Sequence, residues 1–240
     1  MLLVAPLAVA ISGIAVASPS VAGASGTVAT RVTSTATVAD YAHYTRITIR
    51  VSDASGSLGR APVRVYRHTA TGDRYIRTVA TWPRKHIAHF YARLRHDATF
   101  RLVFPGNAGH ASSSHLQRVS VRSFGASLVH LGSKKKGSPY QYGATGPYRF
   151  DCSGFTRWVA ARFGKSLTHS SSGQYSQVRH IARSDRRVGD LVFVHDSSGH
   201  VYHVGFYAGN GRLLAATHTG DYVRVETLWT SSYYVGRLTP

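Results

Sequence analysis

DCSGFTRWVAARFG, residues 151–164, is the stretch on which the reading of the second half of the chain turns. Its apolar residues fall at Phe155, Trp158, Val159 and Phe163, the spacing of one helical face. Asp151 stands where a helix N-cap belongs, and Gly164 stands where a helix stops. Cys152 is thereby placed at the amino end of the helix. The positive end of the peptide dipoles there eases loss of a thiol proton. Cys152 is the sole cysteine of the 240 residues, so no intrachain disulfide framework and no multi-cysteine metal centre can form.

A nucleophilic thiol needs a base within hydrogen-bond reach. Among 14 histidines, His203 lies in YHVGFYAGNG, residues 202–211. Alternation sets His203, Gly205 and Tyr207 on one strand face and Val204, Phe206 and Ala208 on the other. Gly205 leaves room for a close approach beside the histidine. Gly209-Asn210-Gly211 is a hairpin turn. Strands are expected at Asp190–His195, Val201–Ala208, Leu213–Thr217 and Tyr222–Leu228, which makes this half α+β. His195, His200 and His203 are close in sequence, but a zinc site needs further ligands at defined spacing. No metal and no other cofactor is expected.

Before Ser123 the pattern is all-β. Thr45–Val51 (TRITIRV) alternates β-branched and polar residues. Pro62–Tyr66, Tyr75–Thr81, Ala88–Leu94, Ala98–Phe104 and Gln117–Val121 follow, separated by turns. Short strands at this spacing suggest a sandwich. The stretch resembles bacterial Ig-like modules. Such modules space or dock a partner domain. No aromatic platform is legible in it, so spacing is favoured over sugar binding.

Met1–Ala17 is apolar and small, and Ala15-Val16-Ala17 and Ala22-Gly23-Ala24 fit small-x-small cleavage sites. This reads as an export signal. No Lys or Arg precedes Arg31, which is explained by a start upstream of Met1. No later segment reaches the roughly 20 apolar residues that span a bilayer, so stable membrane insertion is not expected after processing. The expected organisation is an export signal over 1–24, an Ig-like sandwich over 27–123 and an α+β domain over 124–240. Twenty-nine Lys and Arg against ten Asp and Glu give a net charge of +19, which implies polyanionic surroundings. The cations are scattered, apart from Lys134-Lys135-Lys136. Without a basic–aromatic motif, nucleic acid is not the expected partner.

Residues 125–240 resemble the NlpC/p60 family of cell-wall cysteine peptidases. Four motifs carry the resemblance: GSPYQYG (137–143), DCSG (151–154), GDLVF (189–193) and HVGFY (203–207) with its Gly-Asn-Gly turn. The Thr168–Tyr175 segment, with Gln174, resembles the region between. The resemblance implies a papain-like fold and hydrolysis of amide bonds in peptidoglycan stem peptides, commonly between D-γ-glutamate and a diamino acid. It implies Cys152 as nucleophile and His203 as base. Tyr140 takes an oxyanion or substrate-orienting role, and Asp151 and Ser153 line the substrate groove. A secreted, wall-associated protein follows, with anionic wall polymers as a second partner for its charge.

The sequence departs from the family at one place. The family sets a polar residue on the next strand to orient the base, and that spacing lands on Ala215. His218 is the nearby substitute. The competing reading is a catalytically weak or inactive wall-binding module. A different amidase family with the same Cys-then-His order fits less well, because HVGFY and its turn favour the first assignment.

Overall fold

The computed structural model describes residues 26–240. The expected export signal over 1–24 lies outside the described residues. The chain divides into two compact units between Val121 and Arg122.

The first unit contains β1 (Arg31–Ala36), β2 (Tyr44–Asp53), β3 (Gly56–Ser57), β4 (Pro62–Thr69), β5 (Gly72–Ala80), β6 (Ala88–Arg93), β7 (Ala98–Phe104) and β8 (Ser113–Val119). They form two antiparallel four-stranded sheets. One is β1-β2-β3 with β6 paired to β2, and the other is β5-β4-β7-β8. Period-two alternation explains the layering. Ile47, Ile49 and Val51 of β2 point inward with Phe90 of β6, against Val63, Val65, Phe100 and Leu102 of the other sheet. The intervening Arg46 and Arg50 point outward. The last strand starts four residues earlier than its apolar pattern suggested. Its buried His115 and Gln117 are polar, and Gln117 accepts a 2.7 Å hydrogen bond from Ser34 across the unit.

The second unit contains α1 (Phe124–Ser133), α2 (Cys152–Ala161), α3 (Ser171–Ser176), β9 (Arg179–Ile181), β10 (Leu191–His195), β11 (Val201–Gly209), β12 (Arg212–Ala215), β13 (Arg224–Thr227) and β14 (Tyr233–Arg237). All six strands join one antiparallel sheet in the order β13-β12-β11-β10-β14-β9. The cysteine helix α2 packs on it. Phe155, fully buried, meets Phe206 edge-on at 6.1 Å and Phe150 at 5.6 Å. Truncating such a ring costs about 4 kcal/mol.

Two strands of this unit, β9 and β14, went unanticipated in the sequence, and Asp190 shows why β14 forms. Asp190 is buried at the start of β10 and accepts from Arg237 Nε at 2.7 Å and Nη2 at 2.8 Å. This bidentate pair fastens the last strand beside β10. It links residues 47 apart, so no local pattern reports it.

Candidate active site

The site begins with the cap of α2. Asp151 has extended backbone angles, and its buried carboxylate is fully engaged. Oδ1 accepts from the Gly154 amide at 2.6 Å and from Ser153 Oγ at 3.1 Å. Oδ2 accepts from the Gly143 amide at 2.9 Å and from His169 Nε2 at 2.7 Å. Gly154 is required here: a Cβ would lie 2.1 Å from the Ala144 carbonyl oxygen. Below it, the buried Gln174 donates to the carbonyls of Ser153 and Thr168 at 2.8 Å and accepts from Thr156 at 2.7 Å. The first turn of α2 is thus tied to two loops.

Cys152 leaves this cap toward β11, where the Val204 amide faces its thiol and favours the thiolate. That amide lies beyond the last β11–β12 pair, Phe206 with Leu214. His203, next to Val204, is 4% exposed. Its Nε2 is buried without a hydrogen-bond partner among the described residues. Its ring lies 5.5 Å from that of Trp229, inclined at 52°.

Ala215 is buried on β12, and a Cβ at Gly205 would lie 2.8 Å from the Ala215 methyl. A methyl group offers the imidazole nothing polar. His218 is not placed as a hydrogen-bonding orienter of Nε2. Its Nδ1 donates to the Thr219 carbonyl at 2.9 Å, and its Nε2 faces Asp221 at 3.8 Å. Its side chain is largely exposed, and it acts on His203 through charge alone.

A groove of about 520 Å³ runs over the thiol. Tyr140, Asp151, Cys152 and Ser153 line it together, as do His169, Ser171 and Tyr202. His169 was not anticipated, since it is one histidine among 14 and no spacing marks it. His195 and His200 do not converge with His203. His195 donates to the Asp196 carbonyl and stacks on Tyr234, while His200 faces Asp196.

A sequence profile described as "NlpC/P60 family" matches residues 137–239, the stretch that carries this cap, this thiol and this strand. Residues 137–239 are an NlpC/P60 family domain. It is 38% identical over 109 residues to a protein of Corynebacterium glutamicum (strain R) named "Probable endopeptidase", covering 45% of this chain and 50% of that one. It is 34% identical over 151 residues to the peptidoglycan endopeptidase RipA of Mycolicibacterium smegmatis, covering 57% of this chain and 30% of the other. The NlpC/p60 domain of the peptidoglycan hydrolase SagA, a solved structure, is 32% identical, with 48% of this chain and 98% of that one covered at a TM-score of 0.44. The chain spans half or less of the length of these two curated relatives.

Electrostatics in this NlpC/P60 domain run against the expectation from the helix dipole. Burial pushes the Cys152 thiol above the ordinary thiol range and Asp151 adds to the effect, while the amides of Val204, Ser153 and Cys152 itself pull the other way. Desolvation outweighs the amides. Burial, helped by the charge of His218, lowers His203 from 6.5 to about 4. Burial beside Cys152 and Asp151 also raises the Tyr140 phenol. At neutral pH the resting pair is therefore a neutral thiol beside a neutral imidazole.

Proposed function

We propose that the protein is an exported peptidoglycan endopeptidase that cuts stem-peptide amide bonds, of the D-γ-glutamyl–diamino acid type, with Cys152 as nucleophile and His203 as base. The observation that carries this reading is the capped thiol against the Val204 amide, one residue from a buried histidine, at the floor of a polar groove. With both groups neutral at rest, proton transfer accompanies attack. The Cys152 thiol gives its proton to His203 as sulfur bonds to the scissile carbonyl carbon, forming a tetrahedral oxyanion. Backbone amides at the start of α2 and the Tyr140 phenol stabilise that charge. As the C–N bond breaks, His203 returns the proton to the leaving amine and a thioester remains. Water then attacks, its proton passing to His203 and on to the departing thiolate. The acyl product leaves as a carboxylic acid that gives its proton to solvent, and Cys152 is again the free thiol.

Asp151 and Ser153 hold the groove wall, and Tyr140 and Tyr202 present rings to the peptide. Export, wall residence and attraction to anionic wall polymers belong to the same reading. The two four-stranded sheets of the first unit support an Ig-like assignment for it. The test is digestion of purified peptidoglycan by the protein and by Cys152→Ala, with fragments identified by mass. Stem-peptide fragments from the unmodified protein alone name the bond; fragments from both, or from neither, sink the thiol mechanism.

A second reading has one observation behind it: the buried Nε2 of His203 without a partner, with Ala215 where a polar residue would stand. It makes the domain a peptidoglycan-binding module. Sedimentation of the protein with walls that it does not cut would favour it.

A further inference from the structure

The first unit carries a surface that its sequence does not reveal. On β2, Tyr44, Arg46 and Arg50 are exposed, with the half-buried Thr48 between them. On β6, Tyr91 and Arg93 are exposed beside the half-buried His89. The two strands are antiparallel neighbours, with Tyr44 opposite Arg93 and Arg46 opposite Tyr91. Each of these two cross-strand pairs joins a guanidinium to a phenol ring, and successive pairs reverse the order. The result is a four-residue checkerboard of cation and ring. Tyr44 is 75% exposed and Tyr91 54%. Beside them is a cavity of about 360 Å³ bounded by Thr35, Thr37, Arg46, Thr48 and Tyr91.

The charge of this face is one-sided. Apart from Asp53 at the end of β2, whose carboxylate is taken up by the Ser55 and Gly56 amides and by His110, no Asp or Glu occurs in residues 31–36, 44–53 or 88–93, the strand residues of the face. Arg46, Arg50 and Arg93 have no carboxylate partner among the described residues. Arg50 reaches Ser57 at 3.3 Å and Arg93 the Ala42 carbonyl at 2.5 Å. In the other sheet, Arg101 is paired to Asp73 at 3.1 Å and Arg118 to Asp97 at 3.3 Å. The unit as a whole has fourteen Arg and Lys against four Asp. Arg64, Arg67, Arg74 and Arg77 of the other sheet also have no carboxylate partner among the described residues, but there Tyr66 stands opposite Tyr75 and Arg67 opposite Arg74, so the alternation of guanidinium and ring across paired strands distinguishes the β2-β6 face.

Phenol rings lying between guanidinium groups suit a ligand that alternates sugar or polyol units with anions. The rings cover the C–H faces of the units, and the guanidinium groups take phosphate oxygens. We propose that this sheet face is a docking surface for a phosphodiester-bearing glycopolymer of the cell wall. The choice of a wall polymer over other polyanions rests on the endopeptidase reading of the second unit. The attraction is ionic in range, so it is released by salt.

The experiment uses the full chain carrying Cys152→Ala, so that binding is read with no hydrolysis. Failure of the endopeptidase reading would appear in the digestion assay and not here. The probes are cell walls that retain their phosphodiester polymers and the same walls stripped of them by mild acid. Arg46→Ala with Arg50→Ala is compared with Arg64→Ala and Arg77→Ala, exposed cations of the other sheet whose removal changes net charge equally. The face variant is expected to lose roughly tenfold in affinity for intact walls and to show a shallower salt dependence, while the control stays within about twofold. Tyr91→Ala alone is expected to lose a few-fold without changing the salt dependence. Stripped walls bind all of them equally weakly. Equal losses in face and control variants would reduce the effect to diffuse charge and overturn the proposal. Undiminished binding to stripped walls would overturn it too, as would tighter, face-dependent binding of double-stranded DNA at equal phosphate concentration. Thermal melts check folding, and Arg46→Gln with Arg50→Gln keeps the aliphatic stems should the alanine pair unfold.

Discussion

Asp151 and His203 flank the same thiol, yet Asp151 accepts four hydrogen bonds while His203 leaves a buried ring nitrogen bare. The cysteine side is held by directed polar contacts that reach into two loops. The histidine side is held by packing, with His203 buried and its ring beside that of Trp229. The contrast teaches that the nucleophile and its base need not be fixed by the same kind of force. A carboxylate network sets position by angle and distance. A packed imidazole is positioned by shape, and it surrenders basicity to desolvation.

The largest effect expected from this contrast is in acid. The unfolded histidine takes up a proton near pH 6.5, whereas folded His203 resists until about 4. Stability from this group is complete above pH 6.5 and falls as the pH drops, with a loss of about 3 kcal/mol reached near pH 4. Thermal melts of the protein and of His203→Gln should diverge across that window. Parallel curves would mean that packing does not hold the ring neutral.

Next in size is the other flank. Asp151→Ala removes the cap and strands the Gly143 and Gly154 amides and Ser153 Oγ, at a cost of about 2 kcal/mol. Asp151→Asn keeps an acceptor for the cap and should lose roughly half as much. Urea midpoints, with amide exchange at Gly143 and Gly154, decide it. Unchanged exchange in Asp151→Ala would show that the loops hold α2 without the carboxylate.

A smaller effect would make the two flanks alike. Ala215→Asn puts a polar group on the side of β12 that faces Gly205, whose strand face also carries His203. Its carbonyl should stabilise the imidazolium and raise the imidazole pKa by about one unit, with a gain in endopeptidase turnover. An NMR titration of the His203 ring that does not move would place Nε2 out of reach of residue 215. The smallest expected change follows Trp229→Leu. Loss of the indole face should cost about 1 kcal/mol or less in support of the protonated ring. It should lower turnover a few-fold with KM unchanged; a change in KM alone would make Trp229 a substrate contact.

What could be read from the sequence was local. The cap, the apolar period and the stop at Gly164 lie within 14 residues, so the run of α2 from Cys152 to Ala161 follows from them. Alternation likewise marks β2 and β11, and the Gly209–Gly211 turn marks the hairpin to β12. The rest depends on residues that meet only after folding. His169 reaches Asp151 because the buried Gln174 pins its loop to α2. The order of strands β10, β14 and β9 follows from an ion pair across 47 residues. Arg46 and Tyr91 become neighbours through a pairing across 45 residues, which is why the basic–aromatic face has no linear signature. The thiol shows the same division. Its place at a helix end argues for easy ionisation, but the burial that reverses the sign comes from β11 and the surrounding loops.

The approach of the Val204 amide to the Cys152 sulfur has a genetic consequence. That amide belongs to the main chain, so no replacement of the Val204 side chain, proline apart, deletes it. What can move it is the strand's register. A single residue inserted into or removed from β11 before Val204 would present a different amide to the sulfur and turn His203 to the opposite face of the sheet. Apolar replacements of similar volume at the fully buried residue 204 should therefore be absorbed, while one-residue indels in residues 201–203 of β11 should be rejected. A library carrying both kinds of change would separate them by activity alone.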